Sequence, residues 1–172
     1  VKQQQALLSS DQVLTFFQNT KLHRDTRIRL IKYLQQNVRD IAGYLEIVKY
    51  FHELIDPSPA TMKLKFTSEN GVNSLDLSGN QSFAITKIDL IEGLQIHKLN
   101  LTNLPMSHYD TRHLASMPLI ELNLTGPRPY WLEFTQSMPQ LKRIILDKSI
   151  YSPEKLTLLS PSIELIDAAQ AH

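Results

Sequence analysis

The sequence contains no cysteine, which removes disulfide scaffolds, thiolate metal sites and a cysteine nucleophile from consideration. Glycine is scarce as well. Five glycines in 172 residues leave little material for a phosphate-cradling loop, and neither Gly-x-Ser-x-Gly nor His-Glu-x-x-His occurs. No charge of one sign dominates: 18 Lys and Arg stand against 17 Asp and Glu, a net charge of +1. That balance offers no net attraction to a polyanion, so nucleic acid is not expected as a partner. No stretch approaches the roughly 18 consecutive apolar residues that span a bilayer, so no membrane segment is expected within this chain. The opening Val1-Lys2-Gln3-Gln4-Gln5 lacks the apolar run of a signal peptide, and it lacks an initiator Met. The chain is therefore expected to be cut from something longer, which leaves its compartment open.

With 42% hydrophobic and 20% charged residues, the chain is ordinary globular material with enough length for one core or two small fused ones. Residues 1–59 read as a helical N-terminal segment or cap. A first helix starts at the cap signal Ser10-Asp11 and carries Val13, Leu14, Phe16 and Phe17. A second, capped by Asp25 or Thr26, presents Ile28, Ile31, Leu34, Val38, Ile41 and Leu45 as its inward stripe. Tyr44, Ile47, Val48, Phe51, Leu54 and Ile55 continue the helical period as a third set, with Gly43 as the expected break before it. Asp56-Pro57-Ser58-Pro59 stops it. The basic residues Arg24, Arg27, Arg29, Lys32 and Arg39 interleave with Asp11, Asp25 and Asp40, the pattern of a solvated helix face.

From residue 60 onward the period changes. Met62, Leu64 and Phe66 alternate with Lys63 and Lys65, and Glu69-Asn70-Gly71 supplies turn chemistry, so a capping hairpin is expected near 62–77. Then one pattern recurs: an apolar residue, two others, an apolar residue, one other, an apolar residue. It occurs at Val72, Leu75, Leu77; at Ile96, Leu99, Leu101; at Leu119, Leu122, Leu124; at Leu141, Ile144, Leu146; and in degenerate form at Ile163, Ile166, Ala168. From their first residues, successive copies begin 24, 23, 22 and 22 residues apart. Each copy supplies one short strand with alternate side chains pointing inward, followed by a return segment. A single copy cannot bury its own leucines. Stacked neighbours can, by pairing strands in parallel around one interior. Asn80 occupies the place where a side chain binds turn backbone after the strand, while Leu104, Pro127 and Ser149 take that place in later copies.

The segments Ile85-Thr86-Lys87-Ile88-Asp89-Leu90-Ile91-Glu92-Gly93-Leu94 and Ser116-Met117-Pro118-Leu119-Ile120-Glu121-Leu122-Asn123-Leu124-Thr125-Gly126 resemble the short bacterial leucine-rich repeats of about 23 residues. The resemblance covers roughly the last hundred residues. It implies an α/β fold, a short leucine-rich-repeat solenoid with parallel strands on its concave side over residues 60–172, preceded by the helical segment. It also implies a context: such repeats are attached to serine/threonine protein kinases of planctomycete-like bacteria. The chain itself has no kinase motif, neither a glycine-rich phosphate loop nor His-Arg-Asp nor Asp-Phe-Gly. The repeat is specific for a fold and weak for a function, because the same repeat serves many unrelated partners.

His108, Tyr109, Asp110 and His113 crowd one segment, but His108 and His113 are five apart, not the three or four that put two ligands on one helix face. A return turn capped by Asp110 accounts for them better. No catalytic residue, metal ligand or cofactor is expected. Candidate partner contacts lie on the outward strand positions, which form columns. One runs Ser74, Lys98, Glu121, Arg143; the next Asp76, Asn100, Asn123, Ile145; the third Ser78, Thr102, Thr125, Asp147. Lys98, Glu121 and Arg143 alternate in sign, so neighbouring strands can pair their charges instead of offering them to a partner. A second candidate is the turn Gly126-Pro127-Arg128-Pro129-Tyr130-Trp131, where Arg128 and Tyr130 are the expected exposed pair and Trp131 and Phe134 the expected core residues. The functional expectation is a non-catalytic protein-protein interaction module, the recognition region of a larger bacterial signalling protein. The alternatives are a spacer, self-association through an exposed edge strand, or an enzyme fragment with an unrecognised site.

Overall fold

In a computed structural model, residues 10–19, 21–36, 38, 40–55, 63–80, 85–104 and 108–170 are described. The chain divides into two compact units, Val1–Thr61 and Met62–His172.

The first unit has three helices, α1 (Ser10–Asn19), α2 (Arg24–Gln35) and α3 (Ile41–Ile55), with α1 and α2 both packed on α3. Val13, Ile31, Tyr44, Leu45, Ile47 and Val48 are buried between them. The stripe expected on one second helix is split. Leu45 belongs to α3, because the chain leaves the helix at Gln36 and re-enters it at Ile41. The break lies at Asp40, not at Gly43: the Asp40 carboxylate accepts the Gly43 amide at 3.1 Å and its carbonyl accepts that of Tyr44. A side-chain acceptor of this kind satisfies an orphan amide of the first turn, so the helix starts there and Gly43 sits inside it. The cap of α2 is His23, whose Nδ1 accepts the Asp25 amide at 3.5 Å, in place of the expected Asp25 or Thr26. The stop at residues 56–59 lies outside the described residues.

The second unit is α/β, with one six-stranded sheet whose strands lie side by side in chain order. β1 (Lys65–Glu69) and β2 (Val72–Asp76) form an antiparallel hairpin. Its two-residue turn has Asn70 at φ 52° and Gly71 at φ 78°, the left-handed pair whose twist suits a tight hairpin. β3 (Lys98–Asn100), β4 (Glu121–Asn123), β5 (Arg143–Leu146) and β6 (Glu164–Asp167) then add in parallel. In register, Leu75, Leu99, Leu122, Ile144 and Leu165 form one inward column. Leu77, Leu101, Leu124 and Leu146 are all wholly buried beside it.

Between strands the chain returns through a 3-10 turn at Ile85–Leu90, helix α4 (His108–Leu114), a 3-10 turn at Glu133–Ser137, and a 3-10 turn at Lys148–Ile150 followed by the short α5 (Pro153–Leu156). Ile88, Ile91, Leu94, Leu114, Leu132 and Phe134 bring apolar cover from these segments. Short strands therefore suffice, because each exposes only one or two side chains to an interior that its return segment closes.

The last copy departs from the expected register. Leu165, not Ile166, pairs with Ile144, and Asp167, not Ala168, pairs with Leu146. Counted along the pairing, the offset is 21 residues, one shorter than the pattern suggested, so an aspartate stands where earlier copies have leucine. Its Oδ1 accepts backbone amides from Ala169 at 3.3 Å and Lys148 at 3.5 Å. A polar residue is tolerated at this inward position because β6 has no following strand among the described residues.

Asn80 does what its position suggested. Buried after β2, it accepts the Lys63 amide at 2.7 Å and donates to the carbonyls of Lys63 and Leu77 at 2.6 and 2.7 Å. One side chain thus ties the segment entering β1 to the turn leaving β2.

Candidate functional site

The outward columns stand as the alternation required. Ser74, Lys98, Glu121, Arg143 and Glu164 align across five strands, and Asp76, Asn100, Asn123, Ile145 and Ile166 align beside them. Lys98, Asn100, Glu121 and Asn123 are all half-buried, as the short spacing between parallel strands makes them shield one another.

In the first column the charges pair selectively. Arg143 donates from Nη1 to Glu121 at 3.0 Å and from Nε to Glu164 at 3.2 Å, so its guanidinium is shared by two carboxylates. Those hydrogen bonds, first to Glu164 and then to Glu121, hold its proton more firmly than usual. Arg143 is consequently a neutralised member of a surface network, and such pairs contribute little to stability. Lys98 forms no ion pair among the described residues, so the alternation in sign is realised on one side only. Glu164 was not among the expected contacts; the shortened last repeat hid its alignment with Arg143.

In the second column the polar residues have a local task. Asp76, Asn100 and Asn123 each accept, through Oδ1, the amide two residues ahead, from Ser78 at 2.8 Å, Thr102 at 3.0 Å and Thr125 at 2.9 Å. The Thr102 hydroxyl also donates to Asn100 Oδ1 at 2.6 Å. These side chains turn the chain out of each strand. With Oδ1 committed to the turn, the Nδ2 groups of Asn100 and Asn123 make no hydrogen bond among the described residues. Thr102 and Thr125 are half-buried beside them. Asp147 repeats the turn one strand later, accepting from Ser149 through both its amide and its hydroxyl. What the face offers is therefore a lysine, two amide donors and, toward β5 and β6, the half-buried Ile145 and Ile166.

The turn after β4 inverts the expectation. Arg128 is exposed as anticipated, but Tyr130 is buried at 9% exposure and Trp131 is exposed at 60%. Phe134 is buried as expected. The reason lies in two bonds that reach other strands' turns. The Tyr130 hydroxyl donates to the Leu104 carbonyl at 2.5 Å, and the Tyr130 amide donates to the Tyr151 hydroxyl at 2.9 Å. Leu104 occupies the place that Asn80 fills earlier, and here a tyrosine from the next repeat holds the turn through the backbone carbonyl of Leu104. Gly126 makes room: a Cβ there would stand 3.3 Å from the tyrosine oxygen. Tyr130 is thus withdrawn from the candidate contacts, and Trp131 replaces it.

Burial pushes the hydroxyls of Tyr130 and Tyr151 above the ordinary tyrosine range. For Tyr130 the second cause is the neighbouring Tyr151 charge; for Tyr151 the amide of Tyr130 partly offsets the burial. Both must be neutral in the fold, whereas the unfolded chain releases these protons near pH 10. Above that pH the unfolded state binds fewer protons than the native one, so stability falls as pH rises. Urea midpoints are expected to be flat up to about pH 9.5 and then to drop, with a smaller drop in Tyr151→Phe. A midpoint unchanged at pH 11 would show that neither hydroxyl is held in its neutral form.

His113 has a partner other than the one weighed from its spacing. Its Nδ1 lies 2.8 Å from Glu92 Oε2, and the Ser116 hydroxyl donates to Glu92 Oε1 at 3.1 Å, so the contact joins two successive return segments. Among the described residues no group of three or more His, Asp or Glu is placed to hold a metal ion. The side chains of His108 and Asp110 lie outside the described part. Among the described residues no helix is long and apolar enough to cross a membrane. No protein-family model, curated protein or solved structure matches this chain.

Proposed function

We propose that the second unit is a short leucine-rich-repeat solenoid that binds another protein without catalysing a reaction, as the recognition region of a larger bacterial signalling protein. The observation that carries this reading is the strict chain-order sheet. Each of the parallel strands spends one side chain on a common interior column and presents the next to solvent. Such repetition yields an even, extended surface whose chemistry is chosen position by position, which suits recognition of a large partner better than enclosure of a small substrate. Lys98 and the amides of Asn100 and Asn123 are the contacts this reading assigns, with Ile145 as their apolar neighbour. The salt-bridged Arg143 and Glu121 frame them.

A triple variant, Lys98→Glu with Asn100→Asp and Asn123→Asp, separates recognition from folding. Aspartate keeps the oxygen that accepts the turn amide and replaces only the outward donor. The variant is expected to fold as the wild type does while losing at least about tenfold in affinity for a protein captured by the intact chain. Equal capture by both forms would remove the sheet face from the function. Light scattering on the same samples tests a second reading, favoured by the half-buried Leu165 and Ile166 on the edge strand β6. A mass that rises with concentration would move the function to self-association.

A further inference from the structure

We infer that residues 126–131 form a preorganised recognition loop for an acidic, apolar protein segment, in which Arg128 takes a carboxylate and Trp131 an apolar side chain. The inference rests on the reading of this unit as a protein-binding module, and it adds a second contact surface with a partner chemistry of its own.

The loop is held at several points. Gly126 is buried against the backbone of Asn103, whose own amide donates to the Thr125 carbonyl at 2.7 Å. Tyr130 is fastened through both its hydroxyl and its amide, to Leu104 and Tyr151. Immediately after Trp131, Leu132 is wholly buried, and its carbonyl accepts the amide and the hydroxyl of Thr135. Pro127 and Pro129 further restrict the backbone. Trp131 is therefore exposed because its two neighbours are anchored inward, and its exposure is not that of a loose segment. A large aromatic kept in water by a fixed backbone binds with little further loss of conformational freedom, the property that makes Trp and Arg dominant in interface centres.

Charge decides the chemistry of the occupant. Arg128 is exposed and forms no ion pair among the described residues, whereas Arg143 on the sheet is already shared between two carboxylates. A guanidinium with no ion pair among the described residues, close in sequence to an exposed indole, matches a carboxylate adjacent to an apolar side chain. An anionic lipid surface fits less well. Met62–His172 carries ten Lys and Arg against eleven Asp and Glu, so it lacks the basic cluster that draws a protein to such a surface.

Trp131 is the single tryptophan of the chain, so its fluorescence reports on the loop directly. The intact chain is titrated with short tryptophan-free synthetic peptides in which Asp alternates with Leu, and with the same peptides carrying Lys for Asp. The Asp-Leu peptides are expected to shift the emission to shorter wavelength saturably, and Arg128→Glu is expected to weaken the response about tenfold or more, with Arg128→Lys between. Unchanged circular dichroism in Arg128→Glu keeps a folding defect apart from a lost contact. An equal response to the Lys peptides, no response to any peptide, a response only to anionic vesicles, or a shift produced by protein concentration alone would each overturn the inference. The sheet-face triple variant is titrated in parallel. Capture kept by that variant while the intact chain still shows the emission response means that the sheet reading fails separately; capture lost in that variant while the loop of the intact chain stays silent means that only the loop inference fails.

Discussion

Leu122→Ala is expected to cost about 3 kcal/mol, within the roughly 2–5 kcal/mol span of leucine truncations in close-packed interiors. Leu122 is wholly buried at the middle of the inward column, with Leu99 on one side and Ile144 on the other, so removal of its side chain opens a void flanked by two neighbouring strands. Neither neighbour can close it. Both are fixed by the ladder, in which Leu101 donates to Asn123 and Leu124 donates to Ile145, at 2.9 and 2.8 Å. Glu121→Ala, one residue earlier and on the opposite face, is expected to leave the unfolding midpoint near the wild-type value. Urea titrations followed by circular dichroism measure the difference, and amide exchange at Leu101 and Leu124 assigns it to the sheet. A loss below about 1 kcal/mol for Leu122→Ala would mean that this column does not constitute the shared interior.

The second large effect is expected at Asn80. Replacement by Ala removes three hydrogen bonds at a buried position and leaves the amide of Lys63 and the carbonyls of Lys63 and Leu77 without that partner. At about 1 kcal/mol for each bond, the loss is about 2–3 kcal/mol. Asn80→Asp retains the acceptor toward Lys63 and removes both donations, so an intermediate loss is expected. Exchange protection of the Lys63 amide should fall in Asn80→Ala well before it falls in Asn80→Asp. If the two variants behave alike, the donations to the carbonyls matter more than the bond to the amide.

The sheet was legible because its pattern rests on the simplest energetic term. Leu99, Leu101, Leu122, Leu124, Ile144 and Leu146 leave water together, and only one strand spacing allows all of them to do so. The hairpin was legible from Asn70-Gly71, whose positive φ values few other residue pairs adopt readily. The final repeat was misaligned because Ile166 and Leu165 are equally apolar. A slip of one residue is invisible in composition, and it is resolved only by which of them meets Ile144.

The candidate contacts were legible to a lesser degree. The columns through Lys98, Asn100, Glu121 and Asn123 follow from alternation, and they stand in register. Their tasks do not follow. Nothing in a single strand tells that Asn100 Oδ1 is already occupied by Thr102, that Arg143 is shared with Glu164, or that Lys98 has no carboxylate partner among the described residues. The exchange of Tyr130 and Trp131 has the same origin, because the atoms that draw Tyr130 inward belong to Leu104 and Tyr151, 26 and 21 residues away.

From the chain alone came the period, the inward leucines, the hairpin turn and the absence of thiol chemistry, since each depends on hydrophobic burial or on the local preference of a residue. The tertiary structure decided which polar atoms are used up and which remain available, because a hydrogen bond between successive repeats depends on distances of a few tenths of an ångström that no spacing encodes. Recognition draws on what remains, so Arg128 and the amides of Asn100 and Asn123 stand out only once their neighbours are in place, as does the exposure of Trp131.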